Sequence, residues 1–106
     1  MDIKEFSGIA RNRFDKCYDM VTKSKHKEYS RRGDKLHNFK EAGKINDCFP
    51  EAALWGMVVK QIVSVKDIIA DIEAGKTPSM VMVEEKVADV INYMVLLEAL
   101  ISERQE

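Results

Sequence analysis

The chain reads as an all-α protein, a small antiparallel bundle of two or three long helices plus a short one. Two observations predict this. Apolar residues recur at three- and four-residue steps through most of its 106 residues, and no stretch alternates with the two-residue period of a strand. A third observation points to self-association: the last apolar segment, ending Met94-Val95-Leu96-Leu97 and Ala99-Leu100-Ile101, is apolar nearly all round.

The first helix is expected from about Ile3 to Tyr29, with a stripe at Ile3, Phe6, Ala10, Phe14, Cys17 and Val21. Beyond Val21 the stripe gives way to Lys and His, so its last turns should project from the core. After a connector at Ser30 to Gly33, Asp34 suits the cap of a short helix from Lys35 to Ala42, with Gly43 as its stop. Leu36, Phe39 and Ala42 should face inward. Pro50 fits the first turn of a third helix reaching Ala74, where Gly75 follows as the stop. Its core stripe is Leu54, Val58, Ile62, Val65, Ile69 and Ile72, with Trp55 packing beside it. Thr77 before Pro78 is a plausible cap for the last helix, although Met80 to Val83 could locally be extended.

Size and composition bound the function. One domain spanning residues 1–106 is expected, since 106 residues support a single core. Apolar residues make up 45% and charged residues 33%, which excludes a disordered chain, and no apolar run approaches the roughly 20 residues of a membrane span. The N-terminus lacks the basic-then-apolar layout of a signal peptide, and Cys17 and Cys48 have no C-x-x-C spacing. A cytoplasmic protein with reduced thiols is the expectation. Net charge is −1, but Lys23 to Lys40 holds seven Lys or Arg against two acids. That imbalance suits a phosphate-bearing ligand; a solvated surface of mixed charge is the plainer alternative.

Three groups could carry chemistry. In Glu85-Lys86-Val87-Ala88-Asp89-Val90-Ile91-Asn92-Tyr93, the polar residues Glu85, Asp89 and Asn92 share one helix face within an apolar segment. Polar groups carried into such surroundings need partners, and a bound ligand is one candidate. Carboxylates one turn apart suit Mg2+, and Asp67 and Asp71 on the preceding helix repeat the spacing of Glu85 and Asp89. If the two helices are neighbours, the four could converge; otherwise Asp67 and Asp71 simply face water. The second group is the basic segment. Tyr29 offers a stacking ring, Arg31 and Arg32 offer forked donors for phosphate, and Asp34 and Asn38 follow, with Asn38 suited to a base edge. Aromatic and basic residues interleaved this way also hold single-stranded nucleic acid, but the shortness of the patch and the slight overall acidity argue against it. Third, Lys60, Ser64, Asp67 and Asp71 form a polar line on the third helix. Neither His26 nor His37 has a Ser or Cys partner at triad spacing.

The order Lys27-x-Tyr29, Asp34-x-Leu36-x-Asn38-Phe39, Ala53-Leu54-Trp55-Gly56, Lys60-x-x-x-Ser64-x-x-Asp67 and Glu85-Lys86-x-x-Asp89-x-x-Asn92-Tyr93 resembles small phage and prophage proteins described as MazG-like, or as nucleotide-modification-associated domains. The similarity runs from about Lys27 to Leu100. It implies kinship with all-α nucleoside triphosphate pyrophosphatases, helical dimers or tetramers that hold magnesium with E-x-x-E on one helix and E-x-x-D on the next. Carried over, Glu85 and Asp89 correspond to the second acidic motif, with Lys60, Ser64 and Asp67 where the first should be. The third helix has no E-x-x-E, and Lys86 stands at the Glu position of E-x-x-D. Losing carboxylates removes metal-assisted catalysis sooner than binding. The leading expectation is therefore a phage-type homo-oligomer that binds a nucleotide or nucleotide-derived signal, sequestering it from host defence. The base or ribose would lie against Asp89, Asn92 and Tyr93, and the phosphates against Lys60 and the Arg31–Arg32 region. The rivals are a Mg2+-dependent nucleotide pyrophosphohydrolase and an inhibitor that binds a host defence protein.

Overall fold

A computed structural model describes residues 1–23 and 33–106. Among the described residues four helices make up an all-α bundle: α1 (Ile3–Thr22), α2 (His37–Asn46), α3 (Pro50–Glu73) and α4 (Met80–Arg104). Segment 24–32 lies outside the described residues; α1 itself stops at Thr22, before the expected end near Tyr29, because Lys23 turns extended and caps it.

Each terminus has a local cause. Asp2 caps α1, its carboxylate accepting the Glu5 N–H at 2.8 Å. Pro50 opens α3 where its missing N–H costs nothing, and Gly75 ends it at φ 84°. Two expectations fail at α2. Asp34 accepts the Leu36 N–H at 2.9 Å, but the helix starts only at His37. Gly43 does not stop it; Asp47 does, in the left-handed region at φ 54°. Gly43 has a packing role instead. A Cβ there would sit 2.8 Å from the Cys48 carbonyl oxygen, so only glycine lets the chain fold back toward Pro50. At α4 the cap is Ser79 rather than Thr77, and Met80 to Val83 is helical.

The helices α3 and α4 are antiparallel, because Glu51 at the start of one meets Arg104 at the end of the other. α1 packs on the opposite side of α4 and runs parallel to it, with Arg13 beside Glu84 and Val21 beside Leu96. α2 packs on α3. The core gathers at the α2 end: Leu36 and Phe39 meet Leu54 and Val58 of α3 and Leu96 and Leu100 of α4. Burying a side chain such as Phe39, Leu54 or Val58 contributes about 1.5–3 kcal/mol each.

At the opposite end no α2 covers the bundle, and the expected stripes come apart. Ile69 and Ile72 of α3 are about half exposed; Trp55, at the α2 end beside Leu54, is half exposed as well and does not join the core. On α1 only Cys17 is buried; Ile3, Phe6 and Phe14 lie open. With Arg13 level with Glu84, the first two turns of α1 pass beyond Met80 and have no α4 to pack on. No helix among the described residues is long and apolar enough to cross a membrane.

Candidate functional site

The site is built on α4. Residues 85, 89, 92, 96 and 100 step by four, three, four and four, so they form one line along the helix. At its C-terminal half this line is Leu96 and Leu100, buried under Leu36 and Phe39. One turn before Leu96 it becomes polar, through Asn92, Asp89 and Glu85. α4 contacts α1 and α3 on its two sides, and among the described residues α1 does not pack on α3. The polar half of the line therefore faces the gap between them.

Burial falls along this line toward the start of α4. Glu85 is exposed, Asp89 is half-buried and engaged in an interaction, and Asn92 is half-buried. Asn92 Oδ1 is shut away from solvent and has no hydrogen-bond partner among the described residues. A buried acceptor left unpaired costs about 1–3 kcal/mol, so this atom calls for an explanation. With Glu85 in the open, the three polar residues are not enclosed together, and a single shielded acceptor at Asn92 is what remains of the expected cluster.

Leu96, one turn from Asn92, lines a cleft of about 390 Å3 together with Val21, Val95 and Ala99. Asp34, Lys35 and Glu103 stand at its margin, where the basic segment rejoins the described chain. Its size falls in the range of small-molecule sites, roughly 300–1,000 Å3. Apolar walls with few polar groups suit a planar ring system. No feature of the sequence marked Val21, Leu96 and Ala99 as walls, because each reads equally well as core.

Other expected site residues take structural work. The Asp34 carboxylate accepts from Lys40 Nζ at 2.8 Å, and the same ammonium lies 2.6 Å from Glu103. The Lys40 hydrogen bond and then the Leu36 N–H hold the Asp34 carboxyl below its ordinary range; Asp34 and then Glu103 push the Lys40 ammonium up. Lys40 thus clips α2 to the end of α4. Tyr93 sets its ring edge-on to Phe39, centroids 6.5 Å apart, as part of the core margin. Lys60 is exposed on α3, and the Ser64 hydroxyl donates to the Lys60 carbonyl of its own helix at 3.1 Å. Asn38 is half-buried in the first turn of α2. Tyr29, Arg31 and Arg32 lie outside the described residues.

The four carboxylates proposed for Mg2+ do not converge. Among the described residues no three His, Cys, Asp or Glu side chains are placed to hold a metal ion. The cause is the register of α3: it buries Ile68, which leaves its neighbour Asp67 exposed. Asp71 instead lies 3.9 Å from Lys76, and Glu85 lies 4.0 Å from Lys86. The donor set does not fit a charge-dense octahedral ion, which needs several oxygens at about 2.1 Å. One residue near the site went unnoticed in the sequence. Arg13, with 15% of its side chain exposed, sits 3.8 Å from Glu84 and fastens α1 to α4.

No family model, curated protein or solved structure matches the chain.

Proposed function

We propose that the chain binds a nucleotide or nucleotide-derived signalling molecule and holds it without hydrolysing it. The observation that carries this reading is the unpaired, solvent-shielded Oδ1 of Asn92, one turn from the cleft walled by Val21, Leu96 and Ala99. An acceptor there takes an N–H, which the exocyclic amine or ring nitrogen of a nucleobase supplies, while the apolar walls bury its faces. Lys35 brings a cation to the cleft, where phosphates would lie. Binding is preferred to hydrolysis because the acids that a magnesium-dependent reaction needs are dispersed. The order of motifs, which resembles that of small phage and prophage proteins, extends the reading to a role: keeping a signalling nucleotide from a host defence system.

Calorimetry against mono-, di-, tri- and cyclic nucleotides, with and without magnesium, tests this. The expected result is heat from at least one base class, insensitive to magnesium and lost in Asn92→Leu. No heat with any of them overturns the proposal. Release of pyrophosphate by the wild-type chain would replace it with the hydrolase reading. A host protein retained on purification, with no small molecule released on heating, would replace it with the inhibitor reading.

A further inference from the structure

Asn92 Oδ1 is shielded from solvent, yet a hydrogen bond needs a donor nitrogen within about 2.9 Å. A ligand therefore reaches this acceptor only after an element beside it has moved.

α1 is placed to be that element. By the 100° step of a helix, Glu84, Ala88, Val95 and Ala99 share an arc of about 60° on α4, and Asn92 lies about 40° from Ala88. The arc meets α1: Arg13 is beside Glu84, and Val21 shares the cleft with Val95 and Ala99. Along α4, Asn92 falls between these two contacts, as does Ala88, which is only 2% exposed. The other neighbours cannot leave cheaply. α2, α3 and the end of α4 share one core, in which Phe39, Leu54 and Val58 are fully buried. α1 buries Cys17 alone, its Val21 touches only the margin of that core, and among the described residues it packs on α4 and no other helix. Its release uncovers little apolar surface, and local unfolding costs least where few buried contacts break. Across the joint, Arg13 and Glu84 form an ion pair at 3.8 Å.

Taking Asn92 as the acceptor of the ligand, we propose that α1 is a cover over it, latched by Arg13 and Glu84. The cover releases α4 to admit the ligand and closes again over the bound molecule. The latch holds the free and the bound closed states alike, so weakening it speeds entry and exit together and leaves affinity nearly unchanged.

Iodoacetamide labelling of the folded full chain, read by mass spectrometry, tests this without a ligand. Three thiols are compared in Cys48→Ser chains: Cys17 under α1, Asn92→Cys at the covered position, and Ala53→Cys in the α3 core, the last two combined with Cys17→Ser. Cys17 and Asn92→Cys should label at rates within about threefold of each other, and Ala53→Cys at least about tenfold more slowly, since it waits for global unfolding. Glu84→Gln should speed the first two by about two- to fivefold, the effect of losing a partly exposed ion pair. Should Asn92→Cys fail to fold, Ala88→Cys in the same arc takes its place. A thiol at position 92 that labels as fast as Cys48 does in the native chain is already open and overturns the proposal. So does a single rate for all three thiols, or rates that Glu84→Gln leaves unmoved. A nucleotide that gives heat in calorimetry, added at about ten times its dissociation constant, should slow Cys17 about tenfold. Binding that leaves Cys17 unprotected overturns the closing step. The thiol rates need no ligand, so a chain that binds no nucleotide refutes the nucleotide reading while these rates still judge the cover.

Discussion

Replacing Asn92 by Leu should make the protein more stable. The side chains have similar branching, and Leu continues the line of Leu96 and Leu100 without a polar atom. Removing a shielded, unpaired acceptor relieves about 1–3 kcal/mol. Leu is also the better helix former, by a few tenths of a kcal/mol. Some of this gain is offset because Leu is bulkier than Asn, an effect of about 1 kcal/mol. A net gain of about 1–2 kcal/mol corresponds to a rise in melting temperature of roughly 5–10 °C for a chain of this size. Thermal unfolding followed by circular dichroism, at one fixed protein concentration, measures it. Asn92→Asp supplies the contrast, because burying a charge in the same place should lower the melting temperature. If Asn92→Leu melts below wild type by more than a few degrees, Oδ1 is bonded in solution, and the account of it as a waiting acceptor fails. Stabilisation coupled to loss of ligand heat is the signature of a side chain kept for binding rather than folding.

Other outcomes follow from the packing. Gly43→Ala should destabilise by about 1–3 kcal/mol despite the better helix propensity of Ala, because the new methyl meets the Cys48 carbonyl at 2.8 Å; the urea midpoint reads this directly. Lys40→Met removes the clip to Asp34 and Glu103, and being partly exposed it should cost only about 0.5–1 kcal/mol near neutral pH. Asp34 has a depressed pKa, so its contribution is present above the ordinary carboxylate range and lost as pH falls through its folded value. Lys40 has a raised pKa, so its contribution persists until pH rises past the ordinary lysine range. The stability gap between wild type and Lys40→Met should therefore hold from neutral to mildly alkaline pH and close on the acid side. A thiol reagent should modify Cys48 within the native protein and reach Cys17 only on unfolding, as mass spectrometry of labelled peptides would record; equal labelling rates would contradict the packing of α1 on α4.

Much of the fold was legible in the chain because local rules decide it. Pro50 and Gly75 bracket α3 through backbone chemistry that no neighbour alters, and Leu36, Phe39, Leu54 and Val58 reach the core where periodicity places them. The start and end of α2 were not legible. Asp34 can cap or can hold a turn, and Gly43 can stop a helix or admit a carbonyl; the choice depends on Lys40 and Cys48, which only folding brings near.

Period alone settled that Glu85, Asp89 and Asn92 share one side of α4. It could not say which apolar stripe finds cover. The stripes of α1 and α3 look alike along their lengths, yet Ile69, Ile72 and Phe14 lie open while Leu54 and Cys17 are buried. That outcome turns on where short α2 sits and on α1 overrunning α4. Nor could spacing gather four carboxylates, since a one-residue difference in register decides whether α3 turns Ile68 or Asp67 inward. Helical period is a property of one segment, whereas burial and convergence belong to pairs of segments, and only tertiary packing sets those.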